Sequence, residues 1–304
     1  MAKWDIPKKR PNNGRVALID GDVIVYRIGF SVQKDVYTLE YEGNLHRFEG
    51  KRALNTFLYE EKLPPDSEDV IINMHTEVEP VQNAYHSINI LLDQILEATD
   101  AEDYEIYISG PTNFRTEIAR TAPYKGNRTG RKPEYYDDIR NWLVQYKGAQ
   151  ISDGIEADDV LSICQYNRDN TVIVSIDKDL DMVPGDHYNW VSNTLYTISP
   201  LEGARNFWTQ MITGDTVDNI KGIPGLGKVK ASKHLAGCKD FYEMFQVVLK
   251  LYTEHFKEEA QSRFVENSIL LWMLRHESEK KIKNEQVQVE VGGDCSEETA
   301  PSEV

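Results

Sequence analysis

Eight carboxylate residues lie in four short clusters, each placed where a strand is predicted to end or a helix to begin. They are Asp20; Glu156, Asp158 and Asp159; Asp177 and Asp179; and Asp215 and Asp218. The carboxyl ends of parallel strands lie along one edge of an α/β sheet, so we expect these side chains to converge there. Acids packed so closely would repel one another and raise their own pKa values, unless divalent cations offset the charge. Carboxylate oxygens suit Mg²⁺ or Mn²⁺, and the sequence therefore predicts a hydrolytic site with two metal ions.

Each cluster taken alone has a simpler explanation, because acids are common at the beginnings of helices. They cap the first free N–H groups and complement the helix dipole whether or not they do chemistry. Capping accounts for each cluster singly, but less readily for four clusters that are all predicted at strand ends or helix beginnings. The four together favour a metal site.

A glycine-rich segment with lysines follows the last acid cluster. It runs Gly222-Ile223-Pro224-Gly225-Leu226-Gly227-Lys228-Val229-Lys230 and lies between two predicted helices. Backbone N–H groups at such a turn can hold a phosphate without reading bases, and the two lysines add charge. The alternative is an ordinary helix–turn–helix connection. Three glycines followed by two lysines favour a helix-hairpin-helix that binds duplex DNA, at about residues 219–236.

A basic segment at about residues 112–132 precedes the second acid cluster. Its candidate nucleic-acid contacts are Phe114, Arg115, Tyr124, Lys125, Arg128, Arg131 and Lys132. Most basic runs are solvated loops. Here the cations alternate with aromatic rings that can stack on unpaired bases, and the segment lies between two predicted sheet elements. We therefore expect it above the strand ends, close to the carboxylates.

The overall charge is −16 with an isoelectric point near 4.9, which is unusual for a protein that binds nucleic acid. The charge is segregated, however, since the two basic segments contrast with an acidic tail at residues 284–304. The three cysteines share no metal-ligand spacing, and no apolar run is long enough for a membrane span. No signal peptide is evident at the N-terminus. We expect a soluble protein of the reducing cytoplasm.

Helical and strand patterns alternate up to about residue 199, which predicts an α/β fold with a mainly parallel, doubly wound sheet. The chain then turns nearly all helical. We expect an α/β core at 1–199 with the basic segment as an arch at about 112–132, and a helical DNA-binding lobe at 200–283. Its predicted helices are 200–213, 228–236, 239–255 and 258–276, and the tail at 284–304 is predicted to be disordered.

Five stretches together resemble the 5′-nuclease family, which includes flap endonucleases, phage 5′→3′ exonucleases and the nuclease domain of bacterial DNA polymerase I. They are Leu18-Ile19-Asp20-Gly21, Tyr124-Lys125-Gly126-Asn127-Arg128, Gly154-Ile155-Glu156-Ala157-Asp158-Asp159, Ser175-Ile176-Asp177-Lys178-Asp179 and Gly214-Asp215-Thr216-Val217-Asp218-Asn219-Ile220. They occur in family order, and the chain is most similar to the free-standing exonucleases of T-odd bacteriophages. The resemblance implies a PIN-like sheet with a helical arch.

The resemblance also implies roles for the candidate residues. Asp20, Glu156 and Asp158 resemble the ligands of the first metal, and the remaining five acids those of the second. Lys125 and Arg128 resemble the catalytic cations of the arch, and the Gly-rich hairpin resembles the duplex-binding element, which in this family often also holds K⁺. One departure is clear: family members usually place an acid just after the second strand, and Ser109-Gly110-Pro111-Thr112-Asn113 contains none.

These expectations describe a monomeric enzyme that hydrolyses DNA from 5′ ends, on double-stranded, nicked or flapped DNA and on RNA–DNA hybrids. It would serve phage replication, primer removal or degradation of host DNA. Two alternatives stay open. A PIN-type ribonuclease shares the acidic sheet edge, although a small ribonuclease does not need the Gly-rich hairpin. A non-catalytic protein that binds DNA structures would gain nothing from acids that repel phosphate.

Overall fold

The computed structural model describes residues 14–64 and 70–279. Its centre is a six-stranded sheet in the order β6-β5-β1-β7-β8-β9. The strands are β1 (Val16–Asp20), β5 (Asp103–Ile108), β6 (Gln150–Ile151), β7 (Thr171–Val174), β8 (Gly185–Asn189) and β9 (Thr194–Ile198). All neighbours pair in parallel except β8 and β9. The predicted α/β class with a mainly parallel sheet is confirmed.

Helices cover both faces of this sheet, which explains why β1 and β7 are apolar throughout rather than alternating. One face packs against α1 (Gly21–Ser31), α3 (Val81–Thr99) and α5 (Tyr136–Lys147). The other packs against α6 (Ala157–Asn167) and the C-terminal helices. Each parallel strand therefore ends between two helical layers, with its carboxyl end open at one edge.

The predicted domain boundary at residue 199 does not divide the hydrophobic core. Leu18 and Ile173 of the sheet belong to the same buried cluster as Phe207 and Trp208. These two side chains belong to a set of four C-terminal helices: α7 (Pro200–Thr213), α8 (Lys228–Leu235), α9 (Phe241–Phe256) and α10 (Ala260–Leu271). The helices match the predicted ones closely, except that the last ends at Leu271 because Trp272 is extended. The helical part is a layer on the sheet and not a separate body. The predicted tail at 284–304 lies outside the described residues.

A small, three-stranded antiparallel sheet lies at residues 33–78. β2 (Gln33–Tyr41) and β3 (Asn44–Glu49) form a hairpin, with positive φ angles at Glu42 and Gly43 in its two-residue turn. A third strand, β4 (Ile71–Val78), pairs with the other side of β2, and α2 (Lys51–Glu60) covers a core of its own. The third strand was missed because its apolar and polar residues do not alternate, and much of it is exposed at the sheet edge.

The expected helical arch is absent from the described residues at 112–132. A single short helix, α4 (Arg115–Ile118), begins the segment, and the chain from 119 to 135 runs as turns and coil. Pro123 and Pro133 lack the N–H group that a helix needs, and Lys125 takes a left-handed backbone conformation at φ 55°. Arg131 pairs with Asp35 of β2 at 2.6 Å, so the basic segment lies against the small sheet.

The predicted helix-hairpin-helix is also modified. α7 ends at Thr213, and a two-strand turn, β10 (Gly214–Asp215) with β11 (Ile220–Lys221), separates it from the Gly-rich loop that leads into α8. Gly222 lies so close to the end of α7 that an added Cβ would be 2.2 Å from the Thr213 carbonyl carbon and 2.3 Å from the Gly214 nitrogen. This glycine is needed for backbone packing.

No helix among the described residues is both long and apolar enough to cross a bilayer.

We predict that Gly222→Ala lowers the free energy of unfolding by about 1–3 kcal/mol, because the new methyl group meets immobile backbone. Gly237→Ala is the matched control, since a Cβ there meets nothing within 4 Å. It should change stability by no more than about 0.5 kcal/mol. Urea denaturation of the two variants measures both effects. Equal stability of the two would contradict the proposed close approach at Gly222.

Candidate active site

Carboxylates from four separate segments line one open cleft of about 850 Å³ at the carboxyl edge of the central sheet. Seven of the eight predicted acids line it: Asp20, Glu156, Asp158, Asp177, Asp179, Asp215 and Asp218. They come from the end of β1, the beginning of α6, the short 3₁₀ helix Lys178–Met182 after β7, and the β10–β11 turn. The topology therefore brings together residues that lie almost two hundred positions apart.

Several of these acids also cap helices, so helix capping and metal binding are compatible roles for the same residues. Asp20 accepts a hydrogen bond from the Val23 backbone N–H at 3.1 Å, and Asp177 accepts one from Asp179 at 2.9 Å. Ser175 links the two: its hydroxyl donates to Asp20 at 2.7 Å and accepts the Asp177 N–H at 3.0 Å. Capping fixes the backbone at the ends of β1 and β7, and this directs both carboxylates toward the cleft.

Burial and mutual repulsion make ionisation of these acids unfavourable. Burial, followed by the negative charge of Asp22, raises the pKa of Asp20 to about 7. Burial, followed by the charges of Asp177 and Asp215, raises the pKa of Asp179 to about 8. The pKa of Asp158 is also raised, by burial and then by Asp20 and Asp177. The cleft is thus a place where added positive charge is strongly favoured.

Two cations and a tyrosine lie among the acids. The Lys125 ammonium contacts Glu156 directly and lies 3.7 Å from Asp218, and Arg128 donates to Asp218 at 2.7 Å. The buried Tyr124 hydroxyl bonds Glu156 at 2.9 Å and Asp218 at 2.8 Å. The Lys125 backbone N–H donates to the Asp218 carbonyl at 3.0 Å. The Tyr-Lys-Gly-Asn-Arg stretch therefore joins the second acid cluster to the fourth.

Two predicted site residues, Asp159 and Phe114, do not line the cleft, and Arg115 in its wall is almost fully buried. Asp159 is fully buried, and both its oxygens accept hydrogen bonds from Arg115, at 2.6 and 2.8 Å. Burial alone would raise the pKa of Asp159, but the charge and hydrogen bonds of Arg115 hold it below its ordinary value. Arg115 also donates to the backbone carbonyls of Leu270 and Trp272. The prediction that Asp159 binds metal is therefore wrong.

The predictions that Arg115 and Phe114 contact DNA are wrong for the same reason, because both side chains are buried in the core. The structure also corrects the expectation that Tyr124 stacks on bases, since its ring is 9% exposed and its hydroxyl faces the acids. Aromatic residues that alternate with basic ones form the same sequence pattern whether the segment is an exposed binding loop or is buried. Only the packing distinguishes the two.

The other predicted DNA contacts are divided between the small sheet, the Tyr136 ring, and the Gly-rich loop beside the cleft. Arg131 pairs with Asp35, and the Lys132 ammonium lies 4.1 Å from the centre of the Tyr136 ring. Gly227 and Lys228 line the cleft, and the exposed Lys230 ammonium donates to the Gly225 carbonyl at 2.8 Å. Gly225 has φ +76°, which favours glycine, and Gly227 precedes the first residue of α8. The cleft and the Gly-rich loop are thus neighbouring surfaces.

Sequence reasoning missed several residues of the cleft wall, namely Asp22, Tyr26, Arg27, Ser109 and Tyr136. Asp22, Tyr26 and Arg27 lie on α1 directly after Asp20, so the helical spacing of α1 could have indicated them. Ser109 and Tyr136 reach the cleft only through the packing of β5 and α5 against that helix. No sequence signal identifies them.

The donor set fits divalent metal ions, because hard carboxylate oxygens dominate the cleft and burial disfavours their bare charges. In the described part of the chain, no three Asp, Glu, His or Cys side chains already surround one point that an ion could occupy. One reason is that the chain's own cations already pair with two of these acids. Lys125 contacts Glu156, and Arg128 contacts Asp218. Metal binding would require these side chains to rearrange.

No family model matches the sequence. Two curated relatives share detectable similarity, both named DNA polymerase I. The one from Pseudomonas aeruginosa is 30% identical over 152 residues, or 42% of this chain. The one from Caldicellulosiruptor bescii is 24% identical over 198 residues, or 57% of this chain. The aligned regions span only 16% and 23% of those proteins' own lengths.

Solved structures give broader coverage at lower identity. A T5 protein co-crystallised with metal ions superposes with a TM-score of 0.55 at 14% identity, covering 91% of this chain and 99% of the other. The bacteriophage T5 flap endonuclease, in a pseudo-enzyme–product complex with DNA and metal ions, also gives 0.55, at 13% identity and 90% and 98% coverage. At the level of fold, the resemblance to 5′ nucleases is confirmed: this chain has the fold of the T5 flap endonuclease.

Proposed function

We propose that the protein is a metal-dependent 5′ nuclease that hydrolyses DNA phosphodiesters from the 5′ ends of duplex, nicked or flapped DNA. The observation that carries the proposal is the single cleft in which seven acids from four segments meet Lys125 and Arg128. Acids that hold metal ions and cations that hold phosphate are the two components that phosphodiester hydrolysis needs. The T5 flap endonuclease, whose fold this chain shares, supports the same activity by its name.

The acids divide into two groups by position. Asp20, Glu156 and Asp158 would hold a first Mg²⁺ or Mn²⁺ ion, and Asp177, Asp179, Asp215 and Asp218 would hold a second, partly through water. Such a pair supplies an activated water and stabilises charge on the phosphate and the leaving oxygen.

The chain's own cations have a complementary role. Lys125 and Arg128 now contact Glu156 and Asp218, and each is free to turn toward a phosphate once those acids hold metal. Their charge then lies where negative charge develops during reaction. In the metal-free chain the Tyr124 hydroxyl lies within hydrogen-bond distance of both Glu156 and Asp218, at 2.9 and 2.8 Å.

The Gly-rich loop is proposed to hold duplex DNA beside the cleft. Lys228 lines the cleft and Lys230 is exposed next to it, so both can reach a backbone phosphate. A K⁺ ion at this loop would compete with the Lys230 ammonium for the Gly225 carbonyl. We further propose a monomer that acts in the cytoplasm of a bacterial host during phage DNA replication, with RNA–DNA hybrids among its substrates.

Two observations favour this function over the alternatives. The Gly-rich loop beside the cleft favours a duplex-binding nuclease over a PIN-type ribonuclease. The buried, electrostatically unfavourable acids argue against a non-catalytic DNA-binding protein, because they would repel phosphate without metal. The relevant assay is digestion of labelled duplex, nicked and flapped DNA, with matching RNA substrates for comparison.

The first prediction concerns polarity. If the reaction begins at a free 5′ end, a bulky adduct at that end should strongly slow digestion in Mg²⁺, whereas the same adduct at the 3′ end should have little effect. Gel analysis of product lengths from both labelled strands measures this. Equal digestion of the two blocked substrates would contradict a 5′-end mechanism, and preferential cleavage of RNA would favour the ribonuclease.

The second prediction concerns the acids. Asp158→Asn should reduce cleavage in Mg²⁺ by several orders of magnitude, because it removes a metal ligand. The same variant should be at least as stable as wild type without metal, because it removes repulsion. Single-turnover cleavage and thermal unfolding in EDTA measure the two effects. Rapid cleavage by wild type in excess EDTA would exclude metal catalysis.

The stability of the metal-free protein should also depend on pH, because of its buried acids. In the metal-free protein, Asp20 and Asp179 keep their protons up to about pH 7 and 8, whereas their ordinary pKa is 3.8. The folded state thus binds more protons between these values, so the free energy of unfolding should fall as pH rises through this interval. Mg²⁺ should offset the fall in wild type. A melting temperature that rises over this range in EDTA would contradict the placement of these acids.

The third prediction separates the two basic elements. Lys125→Ala should lower the saturated single-turnover rate by roughly 10²-fold with little effect on DNA affinity, because its contact develops in the transition state. Lys228→Ala with Lys230→Ala should weaken binding and reduce the salt slope by up to about two counterions, while the saturated rate hardly changes. Lys250→Ala, at an exposed lysine of α9 that does not line the cleft, is the control for loss of charge alone and should change neither quantity. Identical losses in the two sets would refute this assignment.

A further inference from the structure

Gly110, two residues after the end of strand β5, has no room for an acidic side chain. An added Cβ at Gly110 would lie 2.1 Å from the Ser152 carbonyl oxygen, and Pro111 follows with a restricted backbone. Ser109 uses its hydroxyl to accept the Ala157 N–H at 2.9 Å, at the beginning of α6. Among the strands that border the cleft, β1 ends in an acid, whereas β5 is followed by a serine and a glycine.

Asp22 on α1 lies at the position where such an acid would be. Its Oδ2 accepts the Ser109 backbone N–H at 2.9 Å, so its carboxylate is directly at the end of β5. It lines the same cleft as Asp20, Glu156 and Asp158. A carboxylate therefore stands at the end of β5, although it comes from the first turn of the neighbouring helix α1.

Arg140 of α5 holds Asp22 from the other side. Its guanidinium donates to Asp22 Oδ1 at 3.1 Å and to the Ser109 carbonyl at 2.8 Å. Both side chains are largely shielded, at 16% and 27% exposure. This bridge could serve only to attach α5 to the sheet, or it could orient the carboxylate for a ligand in the cleft. The two roles predict different changes in metal affinity when Asp22 or Arg140 is replaced.

We propose that Asp22 is an outer ligand of the first metal ion, acting through bound water and replacing an acid at the end of β5. The inference rests on the proposed metal-dependent function. Asp22 adds negative charge beside Asp20 and Glu156, and Arg140 and Ser109 fix its orientation. Groups in this position commonly change metal affinity by about 10-fold to 100-fold when they are removed.

The test measures metal binding by the full chain without DNA. Calorimetric titration with Mn²⁺, and the rise in melting temperature that Mn²⁺ causes, are compared for wild type, Asp22→Asn and Arg140→Gln. Asp22→Asn should weaken Mn²⁺ binding about tenfold or more. Arg140→Gln should weaken Mn²⁺ binding less than Asp22→Asn does, because the carboxylate stays and the Ser109 N–H still orients it.

A rescue variant tests the replacement itself. Ser109→Asp in the Asp22→Asn background puts an acid at the end of β5, where the N–H group of Ala157 can stabilise it. It should restore most of the lost Mn²⁺ affinity. If Asp22→Asn does not fold well, the Asp22→Asn/Arg140→Gln pair leaves no buried charge alone and is measured instead.

Each outcome is decisive. Wild-type affinity in Asp22→Asn, equal losses in Asp22→Asn and Arg140→Gln, or no rescue by Ser109→Asp would overturn the role of Asp22. In each case wild type would still bind Mn²⁺, and the proposed nuclease function would stand. If wild type itself bound no Mn²⁺, the proposed function would fail together with this inference.

Discussion

Repulsion among buried carboxylates is the constraint on which this structure depends. Asp20 and Asp179 are shielded from water beside other acids, and this raises their pKa values to about 7 and 8. Such an arrangement costs folding stability, so it is expected only where a cation compensates it. Lys125 and Arg128 compensate part of the charge in the metal-free chain. The same contacts place both cations where a phosphate would bind.

The buried ion pair between Arg115 and Asp159 supports this cleft from behind. Asp159 is in the first turn of α6, next to Asp158 and three residues after Glu156, so its fixed position also fixes the beginning of that helix. Arg115 extends the connection to the C-terminal layer through the carbonyls of Leu270 and Trp272. Removing one partner would leave a charge uncompensated in the core, which is far costlier than losing a surface pair.

In place of the expected helical arch, the chain has the small sheet at residues 33–78 and a basic segment that runs as irregular coil. Arg131 joins them by its contact with Asp35. An irregular segment that contains proline residues and contacts a neighbouring sheet has fewer accessible conformations than a free segment. The cations at Lys125 and Arg128 are therefore positioned by tertiary contacts, including the Lys125 N–H bond to Asp218.

The sheet class, the four C-terminal helices and seven of the eight acids of the cleft could be predicted from the sequence, because apolar periodicity and strand-end acids are local patterns. The sequence could not separate Asp159 from Asp158, since adjacent acids on one helix differ only in the direction their side chains take. It also could not show that Arg115 and Phe114 are buried or that Asp22 lies at the end of β5. Those facts depend on contacts between residues far apart in the chain, and only the tertiary structure decided them.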